Sequence, residues 1–390
     1  MISKYINKPE SHNFISNKYS FWVEGLLGLA LGTACMTSLR IEFIGISEIL
    51  FAIFVFVNSP LLLSRYRLVS WHHGFSLIYI LFTFFLVLPV VSFSTFYSTE
   101  LNSDLVYILS FWLAILIFFI LHKLILTGRI NLSRLTLIGI ITFLFINFFA
   151  YFSTTSDYYG RFVGFSNNPN QVMFFASGFI LLASLFLSGF WKYISIISCI
   201  FIGALSLSDA FFFFLAFGST SYVFFRIFLI KSLTFNMKIL ASFISLFVML
   251  VVLYFFNFFD FLFILWNASD EGNSRIALMI NGVRVAFSYP LFGLGVGSFS
   301  GYSGIFEGRE SHNTLIDIAM QFGIIFAFFV YFILIRSIFF LLAKKQILSS
   351  SILLAFIVTS QFHFFGRHII FWVLFGVLFS FMFMNKDQEE

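Results

Sequence analysis

The sequence predicts an all-α polytopic membrane protein with about twelve transmembrane helices and one long outer loop. Three observations carry this expectation. First, 60% of the 390 residues are hydrophobic and only 10% are charged, against roughly 25% charged in an ordinary soluble domain. Second, apolar windows long enough to cross a bilayer recur along nearly the whole chain. Third, the cations are distributed unevenly between alternate connections. A soluble chain with a mean hydropathy of +1.01 could not cover its surface with polar atoms. The composition therefore excludes a soluble enzyme, a disordered chain and a secreted disulfide scaffold. Phe alone supplies 65 residues, which lipid-facing surface accounts for without a functional role.

A helix needs about 20 apolar residues to cross the hydrocarbon core. Such windows fall at 21–39, 43–63, 74–93, 105–126, 133–152, 171–189, 191–207, 210–230, 238–257, 314–335, 347–362 and 369–384. The organisation is one integral membrane domain: residues 1–257 with nine spans, a large loop at 258–312, and three further spans in 313–390. The first window begins at Phe21 behind a polar stretch, but Glu24 interrupts it as a signal-peptide core. The residues before Cys35 match a lipoprotein cleavage site poorly, so the first span is read as uncleaved. Cys35 and Cys199 sit in apolar stretches and are read as small buried hydrophobes. No internal repeat is visible, and the asymmetric long loop argues against a transporter built of two corresponding halves.

With both termini cytoplasmic, sixteen of the 22 cations fall inside, including every lysine. The outer six are Arg40, Arg161, Arg275, Arg284, Arg309 and Arg367. This bias supports the span count. An arginine-only outer set is a second clue, because guanidinium binds phosphate through a planar fork that ammonium lacks. The basic residues form no run, so nucleic-acid binding is not expected.

Three outer segments could carry chemistry. The loop 153–170 ends in GRFVGFSNNPNQ, where Asn168-Pro169-Asn170 is a turn that caps and starts a helix. Arg161 and Gly164 just before it are not explained by capping; an arginine at this depth either snorkels to headgroups or holds a phosphate. The long loop contains NSRIALMINGVRVAFSYP. Ile276, Met279, Ile280, Val283 and Phe287 form an apolar stripe of helical period, capped by Asn273 or Ser274 and ended before Pro290. Arg275 and Arg284 flank the stripe on opposite sides, as in an interfacial helix, or with one edge toward a cavity, the edge assigned to Arg275. The following PLFGLGVGSFSGYSG has no preceding strand and the wrong glycine spacing for a dinucleotide site, and reads as a compact turn or re-entrant segment.

The third segment, GRESHNTLIDIAMQFG, leads into the tenth span. His312 lies at the membrane boundary and titrates near neutral pH, which suits a general base or a phosphate partner as well as a structural role. Asn313, Asp317 and Gln321 continue at four-residue intervals as a polar stripe. Ionisable groups inside a span are costly and face a cavity or a partner. No metal-ligand spacing, no outer Asp-x-Asp and no phosphate-binding loop is present. Metal and cofactor are therefore expected to play no part, and the donor is expected to be activated and already in the membrane. A lipid diphosphate fits, because arginines stabilise its leaving group electrostatically.

The three segments, in this order on a twelve-span scaffold, resemble the bacterial O-antigen ligase and O-antigen polymerase superfamily, membrane glycosyltransferases of the all-helical C type. The motifs cover roughly residues 150–330, the span pattern the whole chain. The resemblance implies a bacterial inner-membrane protein with its active site on the periplasmic face. It implies metal-independent transfer of a polyprenyl-diphosphate-linked glycan to an acceptor hydroxyl. That acceptor is lipid A-core for a ligase and another lipid-linked repeat unit for a polymerase. The family's His-Asn pair with a glycine ten residues on matches His312, Asn313 and Gly323, with Phe326 where a small or hydroxylated residue is usual. Its Arg-x-x-x-Leu motif matches Arg275, with Met279 in the leucine place. Where many members carry Ser-Arg, this chain reads SLSDAF, with Asp209 after Ser208.

On this resemblance Arg161 and Arg275 hold the diphosphate, and His312 deprotonates the acceptor or bonds the leaving phosphate. Arg309, Arg284, Asn313, Asp317 and Asn170 are the substrate-binding candidates, with Asp317 orienting His312 or its neighbours. Two alternatives remain open: a protein O-oligosaccharyltransferase, and a lipid-linked oligosaccharide flippase or other transporter. Few intramembrane charges (Glu24, Glu48, Asp317) speak against an ion-coupled pump.

Overall fold

A computed structural model describes residues 14–41, 44–63, 101–153, 160–230, 234–240, 243, 247, 270–296 and 310–383. These residues are mostly helical. Among the described residues five helices are long and apolar enough to cross a membrane, over Leu109–Leu126, Leu132–Ser153, Pro169–Phe186, Asp209–Leu229 and Ile324–Ala343. The window at 74–93, most of 238–257, and the loop residues 154–159, 258–269 and 297–309 lie outside the described residues.

The helices are α1 (Phe14–Thr33), α2 (Ile46–Leu63), α3 (Leu101–Leu126), α4 (Leu132–Ser153), α5 (Pro169–Phe186), α6 (Gly189–Leu205) and α7 (Asp209–Leu229), then α8 (Asp270–Ser288), α9 (Thr314–Phe322), α10 (Ile324–Ala343), α11 (Ile347–Thr359) and α12 (Ile369–Phe383). A two-stranded antiparallel ladder, β1 (Arg40–Ile41) with β2 (Ile44–Gly45), precedes α2. It is a small addition to the all-α expectation.

Three helices depart from the sequence reading. Helix α1 runs from Phe14 to Thr33 rather than over 21–39. The tenth window, 314–335, is broken: α9 ends at Phe322, and Gly323 takes φ +92° before α10 begins. Hydropathy continues across the break, so a window cannot detect it, whereas the left-handed backbone at glycine creates it. The helix of the long loop is already helical at Asp270. Asn273 and Ser274 therefore lie inside it rather than capping it, a placement whose propensity cost is only some tenths of a kcal/mol.

The chain divides into two compact units. The first contains residues 1–47, 130–269 and 335–359, and so holds α1, α4–α7 and α11. Helix α5 is its centre: every residue but Asn170 is buried, and it packs against α4, α6, α7 and α11. Helix α1 lies on α4 through Gly28 and Gly32. A methyl group at Gly28 would come 2.9 Å from Ile138, and one at Gly32 would overlap Thr142. Small residues four apart let the backbones approach closely, which replaces the hydrophobic driving force that lipid cannot supply. Glu24 of α1 has no exposed surface. It accepts hydrogen bonds from Ser20 Oγ and, at 2.7 Å, from the Asn131 N–H ahead of α4, and it pairs with Arg134 at 3.0 Å.

The second unit contains residues 48–129, 270–334 and 360–390. Its helix pair α3–α12 is packed by Phe118, Phe375 and Phe379, with a hydrogen bond between His122 Nδ1 and Ser380 Oγ at 2.8 Å. Helix α8 packs on α9. Cys35 and Cys199, both in the first unit, are free and buried.

Glu24→Ala removes the acceptor of the Asn131 N–H and should destabilise the protein by about 1–3 kcal/mol. Glu24→Gln, which keeps a carbonyl oxygen there, should lose less. Thermal unfolding of the purified protein in detergent reads this; an unchanged midpoint for Glu24→Ala would show that the tie contributes nothing.

Candidate functional site

In the first unit the segment 160–171 is a hydrogen-bonded node. Gly160 and Gly164 take φ +74° and +57°, and a methyl group on Gly164 would press to 2.7 Å from Asn147 Oδ1. Asn168 caps α5 by accepting from the Gln171 N–H at 3.1 Å, and Pro169 opens the helix, as the sequence predicts. Around it, Ser166 Oγ donates to the Cys35 carbonyl at 2.7 Å, and the Phe165 carbonyl accepts from the Ser38 N–H at 2.9 Å. Thr37 Oγ1 donates to Gln171 Oε1 at 2.5 Å.

This node also binds the turn between α6 and α7. The Phe162 N–H donates to the Leu205 carbonyl at 3.2 Å, Arg161 Nε to the Ser206 carbonyl at 3.1 Å, and Ser208 Oγ to Asn170 Oδ1 at 2.8 Å. Arg161 is half-buried, and its Nε is committed to the backbone. The amide oxygen of Asn170 is thereby taken, and its amide nitrogen has no hydrogen-bond partner among the described residues. The SLSDAF turn is thus brought to the predicted loop. Sequence reading gave it no structural role; the signal was a run of polar residues between two apolar windows.

In the second unit His312 sits between Ser311 and Asn313, directly before α9. Asp317, with no exposed surface, accepts from both flanking N–H groups: Ser311 at 2.8 Å to Oδ1 and Asn313 at 3.2 Å to Oδ2. His312 between them takes φ +57°, an uncommon conformation for a side-chain-bearing residue. Its imidazole is half-buried. Asn313 caps α9 by accepting from the Ile316 N–H at 3.1 Å and donates from Nδ2 to the Gln361 carbonyl at 3.1 Å. Both ends of its amide are therefore engaged within the protein. Gln321 has no exposed surface, and neither its amide oxygen nor its nitrogen has a hydrogen-bond partner among the described residues.

Helix α8 meets α9 at Gly282, where a methyl group would stand 2.7 Å from Ile316 and 3.2 Å from Ser311. Leu278 and Ala286, one turn either side, are buried. The stripe read from the sequence lies away from this contact: Ile276, Ile280, Val283 and Phe287 are all exposed. An exposed apolar face suits a helix lying in a membrane interface. Arg284 is exposed on α8, and Arg275 lies in its first described turns. Arg309 lies outside the described residues. The turn after α8 is pinned beneath the α9–α10 break. The N–H groups of Leu294 and Gly295 donate to the Met320 and Gln321 carbonyls at 2.7 and 3.1 Å, and the Ile324 N–H donates to the Pro290 carbonyl at 2.8 Å. Residues 290–295 thus form the compact turn expected there.

The loop between α11 and α12, QFHFFGRH, joins this site. The Thr314 N–H donates to the Ser360 carbonyl at 2.9 Å and Thr314 Oγ1 to the His363 carbonyl at 2.6 Å; the same Oγ1 accepts from the Phe365 N–H at 2.8 Å. Arg367 Nη1 donates to Glu310 Oε1 at 2.5 Å, and Arg367 Nε donates to His368 Nε2 at 3.3 Å. Burial pushes the Glu310 carboxyl upward, and the Arg367 guanidinium pulls part of that shift back. The sequence places Arg367 among the outer arginines but assigns this loop no role, although Gly366, Arg367 and His368 are a polar island between apolar runs.

The structure therefore groups the sequence-predicted residues in two places. Arg161 and Asn170 lie in the first unit. His312, Asn313 and Asp317 lie together in the second, with Arg275 and Arg284 on the helix packed beside them. Among the described residues no group of His, Cys, Asp and Glu could hold a metal ion. No protein-family model matches the chain, and no curated protein matches it significantly.

Asp317→Ala leaves the Ser311 N–H without its acceptor and the Asn313 N–H with Ser311 Oγ alone, at 3.2 Å, and should cost about 1–3 kcal/mol. Hydrogen exchange of the 310–314 segment should accelerate; unchanged exchange would show that Asp317 does not hold it.

Proposed function

We propose that the protein is a metal-independent membrane glycosyltransferase. It moves a polyprenyl-diphosphate-linked glycan to an acceptor hydroxyl at the periplasmic face of a bacterial inner membrane. The observation that carries this reading is the presentation of His312. A half-buried imidazole stands on a left-handed backbone whose two flanking N–H groups are held by a buried carboxylate. That is a costly arrangement for a purely structural histidine, and it is what a preorganised base or phosphate partner requires. Further support comes from the resemblance of the three motifs to the O-antigen ligase and polymerase superfamily.

In the reaction the acceptor oxygen attacks the anomeric carbon of the donor. The bond from that carbon to the phosphate oxygen breaks, and polyprenyl diphosphate leaves with the electron pair. His312 takes the acceptor's proton. Arg275 neutralises charge developing on the leaving diphosphate, and Arg161 does the same on the strength of its motif. Arg309, Arg284 and Asn170 bind donor or acceptor groups, and Asp317 acts through the backbone of His312. The acceptor is lipid A-core in the ligase form of this reading and a second lipid-linked repeat unit in the polymerase form. The lipopolysaccharide of a deletion strain separates them: no attached glycan marks the ligase, a single attached repeat the polymerase.

Single replacement of Arg161, Arg275 or His312 by Ala should cut transfer about 100- to 1000-fold, read as loss of surface polysaccharide in cells. His312→Asn keeps a residue that tolerates the left-handed backbone and should be equally inactive, which separates chemistry from folding. Normal glycan from all these variants at normal expression would overturn the assignment.

A further inference from the structure

We propose that Arg367 is a phosphate-binding residue of the His312 site, with Glu310 as the counter-ion that occupies it when no substrate is bound. The inference rests on the glycosyltransferase reading and adds to it a residue from a segment to which the motifs assign nothing. Four observations converge. The 360–365 stretch is tied to the 313–314 segment by hydrogen bonds from or to Ser360, Gln361, His363 and Phe365, so Arg367 is held beside the residues that carry His312. Glu310, its partner, lies two positions before His312. The Glu310 side chain is 12% exposed while that of Arg367 is 34% exposed, so the guanidinium is the more open member of the pair. Among the described residues Nη1 and Nε are its engaged nitrogens, which leaves Nη2 on the planar fork to meet a phosphate oxygen.

A fork of this kind binds phosphate bidentately. A diphosphate carries more negative charge than one carboxylate and can displace it. Because Glu310 is the more buried partner, it competes with the ligand for the same donors. The two members of the pair are therefore expected to have opposite effects on anion affinity. A pair that only fastened the loop would respond in the same direction to the loss of either member.

The test uses the purified full-length protein in phosphatidylcholine nanodiscs, with farnesyl diphosphate as the probe and tryptophan fluorescence or calorimetry as the readout. Arg367→Gln should weaken binding about tenfold or more, Arg367→Lys should weaken it less, and Glu310→Gln should tighten it. Shifts of Arg367→Gln and Glu310→Gln in the same direction, or no shift in either, overturn the proposal. So does an Arg367 dependence that vanishes when phosphatidylglycerol replaces phosphatidylcholine, because the site then belongs to a membrane headgroup. The readout is binding alone. A failure here with intact loss of glycan in His312→Ala rejects the Arg367 assignment and leaves the transferase reading standing; the reverse result rejects the transferase reading.

Discussion

The carboxylate of Asp317 is the group on which the second unit's candidate site depends. It is buried completely and takes the backbone N–H on either side of His312. Two acceptors at one side chain cannot serve those two donors unless the intervening residue folds back, and His312 does so with φ +57°. The same bend frees Asn313 to cap α9 and Thr314 to receive the loop before α12. A buried carboxylate is expensive in an apolar medium. Its persistence is explained by the donors it satisfies at the start of a buried helix: the Ser311 N–H would otherwise be orphaned, and the Asn313 N–H would keep Ser311 Oγ alone.

The same logic of satisfaction governs the other end of α9. The helix is nine residues long, about 14 Å, too short to cross a bilayer alone. Its terminal carbonyls are taken by the turn 290–295, and Gly293 and Gly323 permit the contact, since a methyl group on either would overlap backbone. Irregular backbone at membrane depth is tolerated where protein supplies the missing partners. The α9–α10 break is such a place: the polar groups of one interruption close on those of the turn beneath it.

Much of the helix arrangement was legible in the sequence because apolar length is a direct requirement of the bilayer. The windows at 133–152, 171–189, 191–207 and 210–230 coincide with α4 to α7 within a few residues. The Asn168-Pro169 start was legible because capping chemistry is local. The apolar stripe of α8 was legible as well, and its exposure suits the interfacial helix expected there; less legible was the protein contact, which runs through Leu278, Gly282 and Ala286. In water an apolar stripe must face the core; at a membrane it can face lipid, and close packing falls to small residues instead. The pairings of Ser208 with Asn170 and of Glu310 with Arg367 were not legible at all. Each joins residues distant in sequence, and no local pattern encodes which scarce polar group meets which.

That scarcity is itself informative. In a chain with 10% charge, each polar group has few possible partners, so the partner it has found is diagnostic of its use. Glu24 serves the start of α4, with donors on Oε1 and Arg134 on Oε2, as a structural tie should. Arg161 spends Nε on a carbonyl, which orients its guanidinium. Arg367 meets a carboxylate more buried than itself, an arrangement that holds the cation in place and keeps its outer side open. A fixed, open guanidinium beside a histidine of constrained backbone is a better match to anion chemistry than to helix packing, which the apolar residues and glycines of this chain already supply.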